Sequence, residues 1–143
     1  GASSTTTIAG DLVVTGSGGG KYGTIVATRD MSAGTGAVSY TGMGFQPKAI
    51  CVLFWEQDTA DATMGIGFGV DGDTDISVSS KHPWTGNAWA GTSGRIVTVH
   101  DTAGSPNYQY ATVQSYDADG LTLYWVKANS PTSTHKLEFI GWA

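Results

Sequence analysis

Three carboxylates alternate along the run Asp71-Gly72-Asp73-Thr74-Asp75. Carboxylates at alternate positions can converge on one hard cation, and this spacing opens an EF-hand calcium loop. The rest of that loop is missing, because Ile76 stands where glycine is required and His82 where the terminal glutamate belongs. We therefore interpret the run as an acidic hairpin turn, and we predict no metal site and no dependence of stability on calcium or zinc.

Other strings with chemical potential lack their structural context. The stretch 67–72 satisfies G-x-G-x-x-G, but no helix pattern follows it, so it predicts no dinucleotide site. His82, His100 and His135 are far apart and have no neighbouring cysteine or second histidine. Zinc sites from such residues are rare without paired spacing, so we expect histidines at surface or edge positions.

Acid–base and nucleophilic catalysis find little support. Glu56 and Glu138 are the only glutamates, and we expect Glu56 to return the chain to water after an apolar run. The aspartates lie mostly in turns, where Asp is common because it hydrogen-bonds locally. Cys51 is the only cysteine, which excludes an intrachain disulfide, and its apolar neighbours indicate a buried thiol. The sequence therefore predicts no enzyme, no catalytic residue and no cofactor.

Two tryptophans mark the stretch Lys81–Trp89 as a candidate contact. Trp84, Asn87 and Trp89 lie there among Gly and Thr. Indole rings can stack on sugar rings or anchor a protein interface. Large aromatic side chains more often serve burial, so both rings can instead fold back over an open end of the fold. The sequence leaves the two interpretations open.

The elements that hold these residues are organised around Ala49–Trp55, in which every residue is apolar. The run is too short to span a membrane and is rich in β-branched and aromatic types. It predicts a central strand that is covered on both faces. Pro47 precedes it, at a position where a missing N–H costs little.

Short alternating segments separated by turn signals make up residues 21–143 and predict an all-β fold. In Met64–Val70 large residues alternate with glycine, so one face should pack while the other admits a close neighbour. Tyr108–Tyr116 places Tyr108, Tyr110 and Tyr116 on one face. Ser79–Gly94 is expected to be irregular. We predict a jelly-roll-like antiparallel β-sandwich with about eight or nine strands.

Residues 1–20 differ from the body and predict an extended N-terminal arm with a glycine-rich hinge at 16–20. Ile8, Leu12 and Val14 are its apolar points, and they are too few to bury each other. Such a segment becomes ordered by pairing with another surface, which makes these residues candidates for an assembly contact. The alternative is a disordered tail.

Charge and hydropathy exclude two classes of partner. The formal net charge is −5, and the seven basic residues are scattered. Nucleic acid binding needs a basic patch, so we expect no nucleic acid partner. No apolar stretch of about 18 residues occurs, so we expect no membrane insertion.

Several stretches resemble virion proteins of bacteriophages. Thr5–Gly16 is similar to the G-x-L-x-V-x-G segments of trimeric phage fibres. Gly44–Ile50, Asp119–Trp125 and Leu137–Trp142 resemble a small module of phage structural proteins. Together these stretches cover about a quarter of the chain, and their motifs are structural. The resemblance implies a virion component, a homotrimer, without enzymatic activity.

Two functions follow from this resemblance. The first is a structural protein on the particle surface, a capsid decoration protein or short fibre whose arm docks on the major capsid protein, another virion protein or sister subunits. The second is the receptor- or glycan-binding head of a tail fibre, with Trp84, Asn87 and Trp89 contacting a host surface glycan. A chain complete at this length favours decoration, whereas a fragment of a longer chain favours a fibre tip.

Overall fold

The computed structural model describes residues 20–56, 63–80, 89–101 and 106–143. These residues form ten β-strands and no helix. The strands are β1 (Tyr22–Asp30), β2 (Gly36–Thr41), β3 (Ala49–Glu56), β4 (Met64–Val70), β5 (Ile76–Ser80), β6 (Trp89–Ser93), β7 (Val97–His100), β8 (Tyr108–Asp117), β9 (Gly120–Ala128) and β10 (Thr134–Trp142).

Two antiparallel sheets pack face to face as a β-sandwich, as the sequence predicted. The larger sheet has the strand order β1-β10-β3-β4-β5-β6 and the smaller one the order β2-β9-β8-β7. The predicted inner strand is β3, which pairs with β10 on one side and β4 on the other. The strand count exceeds the expectation because β6 lies within the stretch expected to be irregular. Its sequence, Trp-Ala-Gly-Thr-Ser, carries no apolar alternation.

The core lies between the sheets and is built from alternate residues of the inner strands. Ile50, Val52 and Phe54 of β3 face Leu121, Leu123 and Trp125 of β9, and all six side chains are buried. The indole Nε1 of Trp125 donates to the hydroxyl of Tyr40 at 3.1 Å, and the rings of Tyr40 and Phe139 are 4.8 Å apart. The indole N–H of Trp125 and the hydroxyl of Tyr40 thereby have a hydrogen-bond partner inside the core.

The glycine face of β4 admits the backbone at Ile96, just before β7, which is the close approach that was predicted. A Cβ added at Gly67 would collide with the carbonyl oxygen of Ile96, and one added at Gly69 would lie 2.7 Å from Asp75 Oδ1. The larger residues Met64 and Phe68 point the other way and are exposed. The expectation that this face of the strand would pack was therefore wrong.

A bulge in β8 corrects the expected position of Tyr116. The register with β9 shifts between Val113 and Ser115. An extra residue reverses the alternation of everything that follows it. Tyr116 therefore lies opposite Leu121 and packs against the core, whereas Tyr108 and Tyr110 remain on the outer face.

Candidate interaction surface

The outer face of the larger sheet is apolar across five strands. Cross-strand register arranges its side chains in rows that run perpendicular to the strands. The rows are Tyr22–Trp142–Ala49–Val70, then Thr24–Ile140–Cys51–Phe68–Ile76, then Val26–Glu138–Leu53–Ile66–Val78, and last Thr28–Lys136–Trp55–Met64. We refer to these residues as the outer face.

Many of these apolar side chains are open to solvent. Tyr22 is 74%, Val26 60% and Met64 59% exposed, and residues of β3, β4, β5 and β10 add to them. With roughly 100–250 Å² for each full aliphatic or aromatic side chain, the exposed fractions amount to on the order of 800 Å². One partner buries about that area in a standard protein–protein interface. The largest apolar patch of a typical monomer is smaller, about 300–600 Å².

Charge is sparse on this surface. Lys136 and Glu138 are the charged residues within its rows, and Asp30 lies at a corner. Lys136 Nζ is 5.6 Å from the ring centroid of Trp55, so its ammonium group rests over an aromatic side chain. Lys48 and Asp71 form an ion pair of 3.0 Å beyond the row that ends at Val70. The surface thus suits a partner that covers it with apolar groups.

The outer face corrects the prediction for Ala49–Trp55. We expected this run to be covered on both faces, but the smaller sheet covers only the face of Ile50, Val52 and Phe54. On the other face Leu53 remains exposed and Trp55 is half-buried. The unbroken apolar run Ala49–Trp55 is therefore a strand that has one face in the core and the other on the outer face.

Cys51 is buried as predicted, although it lies on the outer side of β3. Its cross-strand neighbours Ile140 and Phe68 flank it on both sides, and only 7% of the residue is exposed. Burial raises the pKa of the Cys51 thiol, because the thiolate is poorly solvated there. The residue is a packing element of the outer face.

Titratable side chains lie in a row inside one end of the sandwich. Arg29, His135 and Glu56 occupy adjacent register positions on β1, β10 and β3, and all three are buried. The expectations of a solvated Glu56 and a surface or edge His135 were therefore wrong. Both face inward because alternation places them in phase with Phe54 and Leu137.

The carboxylates of the predicted acidic hairpin have different partners and do not converge on one point. Asp71 pairs with Lys48, and Asp75 is buried and accepts a hydrogen bond from the Val113 backbone N–H at 2.8 Å. Burial raises the pKa of Asp75, and the hydrogen bond from Val113 offsets part of that effect. A cleft of about 200 Å³ lies between the hairpin and the β8 bulge and is lined by Asp73, Asp75 and Tyr116, among others.

The pKa of Tyr116 is strongly raised, chiefly by burial and further by the nearby carboxylate of Asp75. Within the described residues, no group of His, Cys, Asp and Glu side chains is arranged to hold a metal ion. The absence of a calcium requirement stays a prediction.

The outer side of the smaller sheet carries a short aromatic row. The rings of His100 and Tyr108 are 5.3 Å apart, and those of Tyr108 and Tyr110 are 6.3 Å apart. The guanidinium carbon of Arg95 lies 3.8 Å from the centroid of Tyr110. In these contacts the side chains cover part of one another's surface. This side of the smaller sheet therefore exposes a much smaller apolar area than the outer face does.

The candidate residues of the arm and of the tryptophan stretch fall largely outside the description. Ile8, Leu12, Val14, Trp84 and Asn87 lie outside the described residues. Trp89 opens β6, and its backbone pairs with Ser80. The outer face itself was missed as a site, although the continuous run at Ala49–Trp55 was its signal.

Comparisons with known proteins add no relative. No family model matches the chain, and no curated protein or solved structure matches it either. In the described ranges, no helix is long and apolar enough to cross a membrane.

Proposed function

We propose that this chain is a non-enzymatic structural protein of a phage particle surface, a capsid decoration protein or short fibre that works as a homotrimer. The observation that carries the proposal is the apolar outer face, which is larger than the largest patch of a typical soluble monomer. Such a face indicates a protein that functions while covered by other protein. The phage-like stretches Thr5–Gly16, Gly44–Ile50 and Leu137–Trp142 supply the context.

We infer that residues 5–16 of a neighbouring copy cover the outer face. The arm joins the body at Lys21, beside Tyr22 in the first row of that face. A chain of 19 extended residues reaches roughly 60 Å, whereas six strands span roughly 25 Å. The arm is therefore long enough to leave its own body and cross the sheet of another copy.

The residue pattern of the arm suits this role. Leu12 and Val14 are two positions apart, so they share one side of an extended chain, while Val13 points to the other side. Asp11 is the only charged residue among residues 1–20, which matches the low charge of the outer face. The acidic body keeps neighbouring assemblies apart in solution.

Sedimentation equilibrium on matched variants of the full chain tests the arm. Leu12→Asp places a charge on the side that meets the face and should weaken trimer formation at least about tenfold. Val13→Asp adds the same charge on the opposite side and should leave the mass unchanged. A full chain that sediments as a monomer, or equal effects of the two substitutions, contradicts this assembly.

Antibody labelling tests the location. Intact virus particles from a lysate that contains this chain should carry the label on their surface, at sites related by the particle symmetry. If the particles are unlabelled while the soluble fraction is labelled, the protein is not part of the virion. Only the proposal of an oligomeric protein would then remain.

A further inference from the structure

The first strand of the larger sheet has an open edge. In the described chain β1 pairs with β10 on one side and with no strand on the other. Its nine residues pair with β10 without a single register shift. A long, regular edge strand exposes a row of unpaired N–H and C=O groups, which is a template for another strand.

The hydrogen-bond phase identifies which residues present these groups. Met31 N donates to Ser133 O, and Ala143 N donates to Lys21 O, so odd-numbered residues of this strand bond to β10. In an antiparallel ladder, both backbone groups of a residue point to the same neighbour, and the direction alternates along the strand. The even-numbered residues therefore direct their N–H and C=O groups to the open edge. They are Tyr22, Thr24, Val26, Thr28 and Asp30.

This edge carries little of the protection that natural edge strands use. It has no proline, no bulge and no lysine among its even-numbered residues. The cation of Arg29 points inward and is held by Gln109, so it does not guard the edge. Thr24, Val26 and Thr28 are all exposed. An edge of this kind calls for a strand partner.

The even-numbered residues of β1 read Tyr-Thr-Val-Thr-Asp, which is nearly symmetric about Val26. This symmetry indicates that the partner is a second copy of the same strand. We propose that β1 pairs antiparallel with β1 of a second copy, with a two-fold axis at Val26. Val26 then lies opposite Val26 of the second copy, Thr24 opposite Thr28, and Tyr22 opposite Asp30. Every even-numbered residue meets an even-numbered residue, so all the open N–H and C=O groups gain partners.

The side chains agree with this register. Val–Val and Thr–Thr pairs across antiparallel strands are favourable, and the phenol of Tyr22 can donate to the Asp30 carboxylate. The two Asp30 side chains lie at opposite ends of the pair, roughly 27 Å apart for eight strand residues. Their like charges therefore do not oppose the contact.

Pairing of the edges joins two sheets into one of twelve strands and doubles the outer face. The contact is isologous, as expected for a two-fold dimer. It goes beyond the proposed function, because it uses the β1 edge rather than the arm and stands whether or not the arm assembles trimers.

Charge substitutions at the axis test the register on the full chain. Val26→Lys places two lysines opposite each other, and Val26→Glu two glutamates, so each should weaken the two-fold contact at least about tenfold. Sedimentation should give half the mass of the unmodified chain for each variant. An equimolar mixture should recover the full mass, because Lys then faces Glu.

Val78→Lys is the matched control, since it adds the same charge to an exposed valine of the outer face far from the β1 edge. It should leave the two-fold contact intact, even where it disturbs an occupant of that face. No recovery on mixing the two Val26 variants overturns the inference. Unchanged mass for both Val26 variants beside a loss of mass for Val78→Lys also overturns it and points to contact through the outer face.

Amide hydrogen exchange on the unmodified chain gives a second measurement. The amides of Ile25 and Ala27 bond to β10 and should be protected at every concentration. Those of Thr24, Val26 and Thr28 should become protected only as the protein concentration rises. Fast exchange of these three amides at all concentrations would contradict the pairing. Protection that requires an added protein would assign the edge to a different partner and overturn the inference.

Discussion

Arg29 on β1 donates from Nε to Oε1 of Gln109 on β8 at 2.8 Å, and this buried hydrogen bond joins the two sheets. Gln109 in turn donates from Nε2 to the carbonyl oxygens of Met31 at 2.7 Å and Ala33 at 2.9 Å. The guanidinium carbon of Arg29 also lies 4.8 Å from the ring centroid of Trp125. Burial lowers the pKa of Arg29. The Gln109 side chain therefore holds the buried guanidinium at Nε and fixes the turn after β1, while Nη2 of Arg29 donates to the Gly34 carbonyl oxygen at 2.9 Å.

Gln109→Ala should lower the free energy of unfolding by about 2–4 kcal/mol, because it leaves buried donors and acceptors without partners. Urea unfolding measures the effect. Gln114→Ala is the control on the same strand, since Gln114 is exposed at the bulge, and it should change stability by less than about 0.5 kcal/mol. Equal losses for the two variants would show that the Arg29–Gln109 contact contributes little.

Gly67→Ala should cost about 3 kcal/mol, because its new methyl group would meet the Ile96 carbonyl and lie 3.1 Å from Val52 Cγ1. Thermal unfolding measures the loss. Gly34→Ala meets no atom within 4 Å and serves as the control. A Gly67→Ala protein as stable as the Gly34→Ala protein would mean that β4 and the chain at Ile96 separate easily.

Asp75 should make the protein less stable as the pH rises. Its folded-state pKa lies above the usual value of 3.8 because of burial, so the folded state binds the proton more tightly than the unfolded state. Stability from this group is complete below that usual value and is lost as the pH rises through the folded-state pKa. Asp75→Asn keeps an acceptor for Val113 N–H and should raise the thermal midpoint at pH 7 but not at pH 3.

Asp30 serves as a control, because its pKa is shifted in the opposite direction. Hydrogen bonds from the Ser32 side chain and backbone lower its pKa, so its contribution is present at neutral pH and lost in acid. Asp30→Asn should therefore lower the midpoint at pH 7. The account of Asp75 fails if both asparagine variants shift the midpoint in the same direction.

Cys51 should react slowly in the folded protein. Its raised pKa and its position between Ile140 and Phe68 both limit the thiolate, so we expect alkylation at least about tenfold slower than in the chain unfolded in guanidinium. Cys51→Asp should cost several kcal/mol, because it buries an unpaired charge. A thiol that titrates freely in the folded protein would contradict both expectations.

Sequence patterns were sufficient to predict a two-layer β-sandwich. The apolar run at Ala49–Trp55 identified the inner strand, and alternation identified most of the others. β6 could not be found, since Trp89 is followed only by the small residues Ala, Gly, Thr and Ser and the strand is defined by its pairing with β5. The reversal at Tyr116 depends on a bulge, which no local pattern announces.

The site was harder to predict than the fold, because burial depends on neighbours from distant parts of the chain. Glu56 and His135 are 79 positions apart and become register partners only when β10 inserts beside β3. The outer face could not be predicted for the same reason. Periodicity shows which residues share a side of a strand, but not whether a second layer covers that side.

The position of β10 has a consequence for how the chain folds. This strand, the last in sequence, lies between β1 and β3, so the larger sheet stays in two parts until residues 134–142 have been synthesised. Until then Ala49–Trp55 lacks a partner along one edge, and an apolar strand in that state is prone to aggregate. Contacts between segments that are far apart in sequence also form slowly, over milliseconds to seconds in β-sandwiches. A longer delay between the synthesis of β3 and that of β10 should therefore lower the yield of folded protein.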